Sequence, residues 1–453
     1  MLYTFLRFIL LITVRMFFRS ITIRNKELIP NKGPLMVLVN HPSTFMDPIV
    51  VGTILNRQVF FLGKGVLFNT RFARWLLPRL NVIPIYRQHD DPSMMGKNEE
   101  IFTRCFEHLG KGGALLMFPE GTSFTERKLR PIKTGAARIT LGAEALHNFE
   151  LGSHIITIGL NYANQHKFNR DLYINIGKPI NVADYKEEYA LNDHKAVENL
   201  TEEIRHRLEK LIIAIEDDKT DKLVKNIEIL YKNKLSRDLG IRKNDKDADF
   251  ILTKNIIETV NHYLVTDPRL VEIMHLRING YLNKVHQLGL RDTDINQNQQ
   301  SDSFIAGNLK SLLILILGFP IYLFGLITNF LPFEIPSVVA KKIDESNEYR
   351  GAIMMVGGLF TFLIFYTSET ILLWKLTHIQ WLTVVFGISL PIAGLFCYWY
   401  FHTVNKMRTK WMLMMLFYKK SVLISNLITE REKIISDLDK IKRKYTQYLK
   451  KKS

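Results

Sequence analysis

The sequence predicts an α/β domain with a largely parallel sheet flanked by helices, joined to a helical extension and C-terminal transmembrane helices. Three observations carry this. Short apolar runs alternate with helical stretches as far as about residue 185. From 186 to 295 the apolar residues keep helical spacing. Between 304 and 402 lie long segments almost free of charge. The mean hydropathy of +0.00 averages over this division.

Residues 1–20, "MLYTFLRFILLITVRMFFRS", are apolar but broken by Arg7, Arg15 and Arg19. No stretch between arginines is long enough to span a bilayer, and no small-residue cleavage site follows. Aromatics mixed with arginines suit a helix lying at a lipid interface. Residues 21–185 hold the strand candidates "SITIRN", "LMVLVN", "QVFFLG", "VIPIY", "ALLMFPE", "IITIGLNY" and "LYINIG", with helical segments such as "FNTRFARWLLPRL" between them. Residues 186–295 are expected to form a helical extension and 296–303, "NQNQQSDS", a polar linker.

Three segments, 311–331, 351–368 and 376–402, contain no Asp, Glu, Lys or Arg and are transmembrane candidates by length. Three full spans would leave the basic tail, 403–453, on the side opposite a cytosolic domain, against the positive-inside rule. The expectation is therefore a membrane region over 304–402. Its last two segments form a hairpin, and its first, interrupted by Gly318-Phe319-Pro320, is re-entrant or interfacial. In the tail, Ile434, Leu438, Ile441, Tyr445 and Tyr448 follow a 4-3-4-3 spacing suited to a short coiled coil, and so to tail-mediated self-association.

The net charge of +17 favours anionic partners. Membrane segments, and no zinc-finger or RNP motif, favour an anionic lipid surface and phosphorylated substrates over nucleic acid. Cys105 and Cys397 lie in no metal or disulfide pattern, read as small buried hydrophobes, and suit a reducing cytosolic face.

Three stretches carry candidate chemistry. "NHPSTFMDP" places His41 and Asp47 just after a strand. A neutral imidazole takes a proton from a hydroxyl, and a carboxylate on its other nitrogen fixes the tautomer. Six positions apart on a regular helix the two side chains point away from one another. The pair therefore needs a turn or bulge between Pro42 and Met46, and a plain structural turn is the alternative. "ALLMFPEGTS" puts Glu120, Gly121, Thr122 and Ser123 in a loop suited to a hydroxyl, phosphate or oxyanion, or to ordinary strand–loop–helix capping. "KGVLFNTR", "IPIYR" and "RKLRPIKTGAAR" put cations beside strand ends, where a phosphate or solvent would suit them.

In this order and spacing the stretches resemble the glycerolipid acyltransferase family. "NHPSTFMD" is similar to its NHxSxxD-like first block, "GVLF" with Arg87 to its second, "FPEGTS" to its third and "IITIGLNY" to its fourth, over about residues 20–180. The family usually has four residues between His and Asp, where this chain has five, and many members have arginine in place of Ser123. These departures look closest to the glycerol-3-phosphate/dihydroxyacetone-phosphate acyltransferase branch. The resemblance implies a glycerol acyltransferase-like fold over 21–185 and a membrane-bound O-acyltransferase of phospholipid biosynthesis with its catalytic domain on the cytoplasmic face. Acyl-CoA or acyl-carrier protein would be the co-substrate, with no cofactor or metal. It implies His41 as general base and Asp47 as its orienting partner. Arg87, Glu120, Gly121, Thr122 and Ser123 would bind a glycerol-3-phosphate, dihydroxyacetone phosphate or 1-acylglycerol-3-phosphate acceptor, and Lys133, in "RPIKTG", is added to them from its charge as a phosphate ligand. The competing expectation is a non-catalytic membrane scaffold built on a degenerate acyltransferase domain.

Overall fold

A computed structural model describes the chain apart from residues 1, 87–95, 124–127, 166, 214, 216, 242–247, 298–303, 344–348, 420 and 453. It divides into two compact units, Met1–Ala214 with Pro336–Leu359, and Ile215–Ile335 with Phe360–Ser453.

The first unit is built on an eight-stranded sheet: β1 (Ser20–Arg24), β2 (Leu35–Val39), β3 (Phe60–Lys64), β4 (Val82–Ile85), β5 (Ala114–Met117), β6 (His154–Tyr162), β7 (Asp171–Ile176) and β8 (Ile180–Asn181). The order is β1-β7-β6-β2-β5-β3-β4, with β8 pairing β6. Strands β2 to β6 run parallel, and β7 is antiparallel to β6. All seven expected strands form. The two-residue β8 is too short to leave a periodic signal.

β2 is buried along its whole length, which is why it reads as unbroken "LMVLV". Side chains alternate across a strand, so Leu35, Val37 and Val39 face one apolar layer and Met36 and Leu38 the other. The first layer contains Val14 and Phe17 of α1 (Leu2–Phe17), with Met46, Val50 and Val51 of α2 (Met46–Ile54). The second is covered by α4 (Lys97–Gly110), α5 (Gly135–Leu146) and α7 (Asp193–Leu211), after the short α3 (Arg71–Leu76) and α6 (Lys186–Leu191). In α7, Ala196, Leu200, Ile204 and Leu208 recur every fourth residue and all face this core.

Two expected boundaries move. The sheet unit reaches Ala214 rather than 185, because α7 completes its second layer. Residues 1–20 are not separate from it. Val14 and Phe17 are core residues, and the Arg7 guanidinium donates to the carbonyls of Gly52 and Leu55 at the end of α2. The opposite side of α1 leaves Phe5, Phe8, Ile12 and Met16 exposed.

The helices that follow are α8 (Asp218–Asp238), α9 (Ala248–Thr266), α10 (Pro268–Gln287), α11 (Asp292–Gln297), α12 (Phe304–Ile343), α13 (Arg350–Thr377), α14 (Gln380–Lys419) and α15 (Ser421–Lys452). In the second unit α15 packs along the extension helices. Arg431 forks onto Asp292 (2.7 and 3.0 Å), Arg277 pairs with Asp437 and Lys284 with Glu430. Of the tail stripe, Ile434 and Leu438 are buried inside the chain, Ile441 and Tyr445 are half-buried and Tyr448 is exposed. Of the linker expected at 296–303, the first two residues end α11 and the rest lie outside the described residues.

Among the described residues, three segments are long and apolar enough to cross a membrane: Leu315–Ile343, Arg350–Thr377 and Gln380–Asn405. α12 runs without a break through Gly318-Phe319-Pro320, against the expected interruption. Its contacts to the α13–α14 pair change along its length. The Leu315 carbonyl accepts from Tyr400, and Asn329 meets Tyr366 and the Leu390 carbonyl nearer the α13–α14 turn. The Pro332 carbonyl then accepts from Thr361, farther from that turn again. The middle of α12 therefore approaches the turn and both flanks lie away from it. Pro332 is where a missing N–H weakens the helix.

Candidate active site

Because β2 to β6 are parallel, their carboxyl ends share one edge of the sheet, where open α/β sheets place their ligands. The loop after β2 is pinned there by Asn40. Its side-chain amide donates to the Leu160 carbonyl (3.1 Å) and accepts from the Leu160 N–H (2.7 Å), which extends the β2–β6 pairing by one step through a side chain. The chain then bends. Thr44 takes φ +30°, and the Met46 N–H donates to the Ser43 carbonyl to start α2. The resulting path is non-helical between Pro42 and Phe45, as the pair requires.

His41 Nδ1 lies 2.8 Å from Asp47 Oδ2, which also accepts the Ser43 N–H at 2.7 Å. Asp47 is wholly buried, and His41 keeps 12% side-chain exposure. The carboxylate accepts, so Nδ1 carries the proton and Nε2 keeps a lone pair. Tyr162, the last residue of β6, donates to Asp47 Oδ1 at 2.7 Å. The His41 ring stacks on Phe118, centroids 4.0 Å apart.

The loop after β5 closes as a turn. The Gly121 N–H donates to the Phe118 carbonyl at 3.0 Å, and Gly121 sits at φ +73°, where a side chain would be strained. Glu120 does not reach outward to a substrate hydroxyl. One carboxylate oxygen accepts the His41 N–H (2.8 Å) and the other the Arg130 N–H (3.0 Å). Burial pushes its pKa up, against the pull of those two N–H groups. Thr122 is half-buried and Ser123 buried beside it. Lys133 is exposed, its N–H bonds the Pro119 carbonyl at 2.7 Å, and its side chain passes Gly121.

Lys64 ends β3 at the same edge, before a 3-10 turn, Gly65–Phe68. A Cβ on Gly65 would fall 2.5 Å from the Tyr86 ring, so this "GVLF" glycine lets the turn lie against the end of β4. Asn98 fixes Tyr86 at both backbone groups (3.1 and 2.7 Å). Arg87, the next residue, lies outside the described residues. The structure thus brings together His41, Asp47, Glu120, Gly121, Thr122, Ser123 and Lys133. It adds Asn40, Phe118 and Tyr162, which sequence reasoning did not single out. Asn40 lies within the first motif and Tyr162 ends the fourth, so only position in a motif hinted at either.

Beside His41 opens a mainly apolar cavity of about 380 Å³, lined among others by Leu10, Phe45, Ile49, Leu77, Val82 and Phe118. Burial pushes the Cys105 thiol up to about 12, so it is inert as a nucleophile.

A family model described as Acyltransferase matches residues 20–161, the stretch that holds His41, Asp47 and "FPEGTS". An uncharacterized acyltransferase of Schizosaccharomyces pombe is 22% identical over 400 residues, covering 68% of this chain and 58% of that one. Glycerol-3-phosphate O-acyltransferase 1 of Saccharomyces cerevisiae is 29% identical over 215 residues, covering 42% of this chain and 27% of that one. A 1-acyl-sn-glycerol-3-phosphate acyltransferase of Streptococcus pneumoniae is 24% identical over 214 residues, covering 47% of this chain and 73% of that one. The chain thus spans less than two thirds of either yeast protein. For the sheet unit, the resemblance to glycerolipid acyltransferases is borne out.

Proposed function

We propose that this chain, whose residues 20–161 form an acyltransferase domain, moves a fatty acyl group from a thioester to a hydroxyl of a glycerol phosphate-type acceptor. The observation that carries this reading is the 2.8 Å His41–Asp47 contact at the carboxyl edge of the sheet, beside an apolar cavity. His41 Nε2 takes the proton of the acceptor hydroxyl as its oxygen attacks the thioester carbonyl. The tetrahedral intermediate collapses, the C–S bond breaks, and the leaving thiolate receives the proton from His41. Asp47 holds the ring and stabilises the imidazolium between the two transfers. The cavity receives the acyl chain, each buried CH₂ contributing about 0.8 kcal/mol. Arg87, Lys133, Thr122 and Ser123 bind the acceptor phosphate, and Glu120 and Gly121 shape its loop. Acyl-CoA and acyl-carrier protein are the two donors to compare.

The test is acyl transfer by membranes containing the full chain, with labelled acyl-CoA and glycerol-3-phosphate, dihydroxyacetone phosphate or lysophospholipids. Wild type is expected to form one acylated product and His41→Ala none, at equal expression. Equal product from both would remove the proposed base.

The chain is placed in the membrane by an α13–α14 hairpin, with α12 re-entrant and the sheet, the extension helices α8 to α11 and the tail α15 cytosolic. Three features support this. The tail α15 pairs with α8, α10 and α11, which precede the first apolar helix, so an even number of crossings separates them. Ala352 and Met355, at the start of α13, are core residues of the sheet unit. The excess of Lys and Arg in 403–453 agrees with a cytosolic tail.

A further inference from the structure

We propose that Tyr162 is a positioning residue for acyl transfer, acting on His41 through Asp47. The inference rests on the acyl-transfer reading above and adds a third member to the pair. A carboxylate held at one oxygen still rocks about its Cβ–Cγ bond and carries the imidazole with it. Here both oxygens are held. Oδ2 accepts from His41 Nδ1 and the Ser43 N–H, and Oδ1 accepts the Tyr162 hydroxyl at 2.7 Å. Three donors on a wholly buried carboxylate fix its plane.

The anchor is rigid because Tyr162 belongs to the sheet. Its backbone pairs with Leu172 of β7, and its ring packs 5.8 Å from that of Phe18. Burial and the Asp47 charge push the phenol well above its ordinary pKa, so it remains a donor wherever His41 is in use as a base. The loop from Pro42 to Phe45 bends through a positive φ at Thr44, and its own bond to Asp47 is the Ser43 N–H on Oδ2. β6 supplies a second hold, on Oδ1, from outside the loop.

The hydroxyl also tunes the base. By sharing Asp47's charge it weakens the carboxylate's hold on a protonated His41. Without it, Oδ1 is a buried acceptor with no other donor among the described residues, and the unshared charge of Asp47 holds a protonated ring more strongly.

The experiment compares kcat, KM and the pH profile of kcat/KM for wild type, Tyr162→Phe, Asp47→Asn and the double variant in the full membrane-bound chain. Tyr162→Phe is expected to lower kcat about tenfold to a hundredfold. It should leave both KM values within about twofold and move the acid limb to higher pH. On the Asp47→Asn background the same change should have little further effect, since its route is already cut. A structural role alone would cost equally on both backgrounds and leave the acid limb in place, and that result overturns the proposal. 3-Fluorotyrosine introduced at position 162 covers a Phe variant that fails to fold. Nearly isosteric and a stronger donor, it should move the acid limb the other way, and no movement overturns the proposal. A wild-type chain that acylates no acceptor would instead remove the acyl-transfer reading itself.

Discussion

The Glu120 carboxylate accepts the backbone N–H of His41 at 2.8 Å, so the loop after β5 holds the loop after β2 in place. Glu120 is thereby a clamp between the two motifs. In Glu120→Gln one of the two backbone N–H groups must face an amide NH₂. An unmatched buried donor costs about 1–3 kcal/mol. The expected result is a lower Tm and a kcat at least tenfold down, with the acceptor KM little changed. A large rise in acceptor KM at unchanged kcat would instead make Glu120 a substrate ligand.

The end of α7 is fastened to the sheet at close quarters. The Leu211 carbonyl accepts from Asn161 (3.0 Å) and Asn175 (2.8 Å), and a Cβ on Gly159 would fall 2.4 Å from that oxygen. Gly159→Ala is expected to destabilise the protein by about 1–3 kcal/mol, since backbone and not a yielding side chain is in the way. Gly280→Ala in α10 is the contrast. Nothing lies within 4 Å of its Cβ, so it should stabilise by up to about 1 kcal/mol. Thermal unfolding of the two variants checks both signs.

His108 packs on Phe60, centroids 4.2 Å apart, with Nε2 3.3 Å from the Ala114 carbonyl. Burial, helped by the charges of Arg57 and Lys111, pushes its pKa below the ordinary histidine value. The unfolded chain therefore takes up the proton first. Stability is fully present above about pH 6.5 and is lost as pH falls from there through the folded value. His108→Phe should lose less Tm between pH 7.5 and 5 than wild type does, as read by scanning fluorimetry.

Arg431 and Asp292 form a largely buried fork, with Tyr281 donating to the same carboxylate at 2.9 Å. Arg431→Met leaves Asp292 buried and unpaired, a change that costs about 3–5 kcal/mol. The tail should then release from α8 and α10. Limited trypsin digestion is expected to cut within 421–452 well before wild type is cut, and an unchanged pattern would mean the tail is held by its apolar face.

With Cys105 and Cys397 replaced by Ala, single cysteines at His378 and Lys451 report topology. His378 lies between α13 and α14, and Lys451 is at the end of α15. An impermeant maleimide should reach position 378 in intact cells and position 451 only after permeabilisation. Labelling of 451 in intact cells would mean an odd number of crossings.

The seven main strands, the helical extension and the apolar segments were legible in the sequence because each leaves a local signature. Unbroken apolar runs mark strands buried on both faces, and a four-residue repeat marks a helix with one buried side. The motifs placed His41, Asp47 and Glu120 at strand ends, and parallel strands bring such ends to one edge. Local signatures name which groups arrive at a site, but they do not say which atoms meet there. Only the tertiary structure decided that the loop bends at Thr44 so that His41 and Asp47 touch despite six positions between them. It alone turned Glu120 inward onto two backbone N–H groups and brought Tyr162 onto Asp47 from β6. It also buried Ile434 and Leu438 of the tail stripe inside the chain, where the sequence allowed a partner copy. The physical reason is common to all of these. Each is a contact that no local pattern specifies, chosen by which buried polar or apolar group found a partner, and periodicity carries no record of the partner.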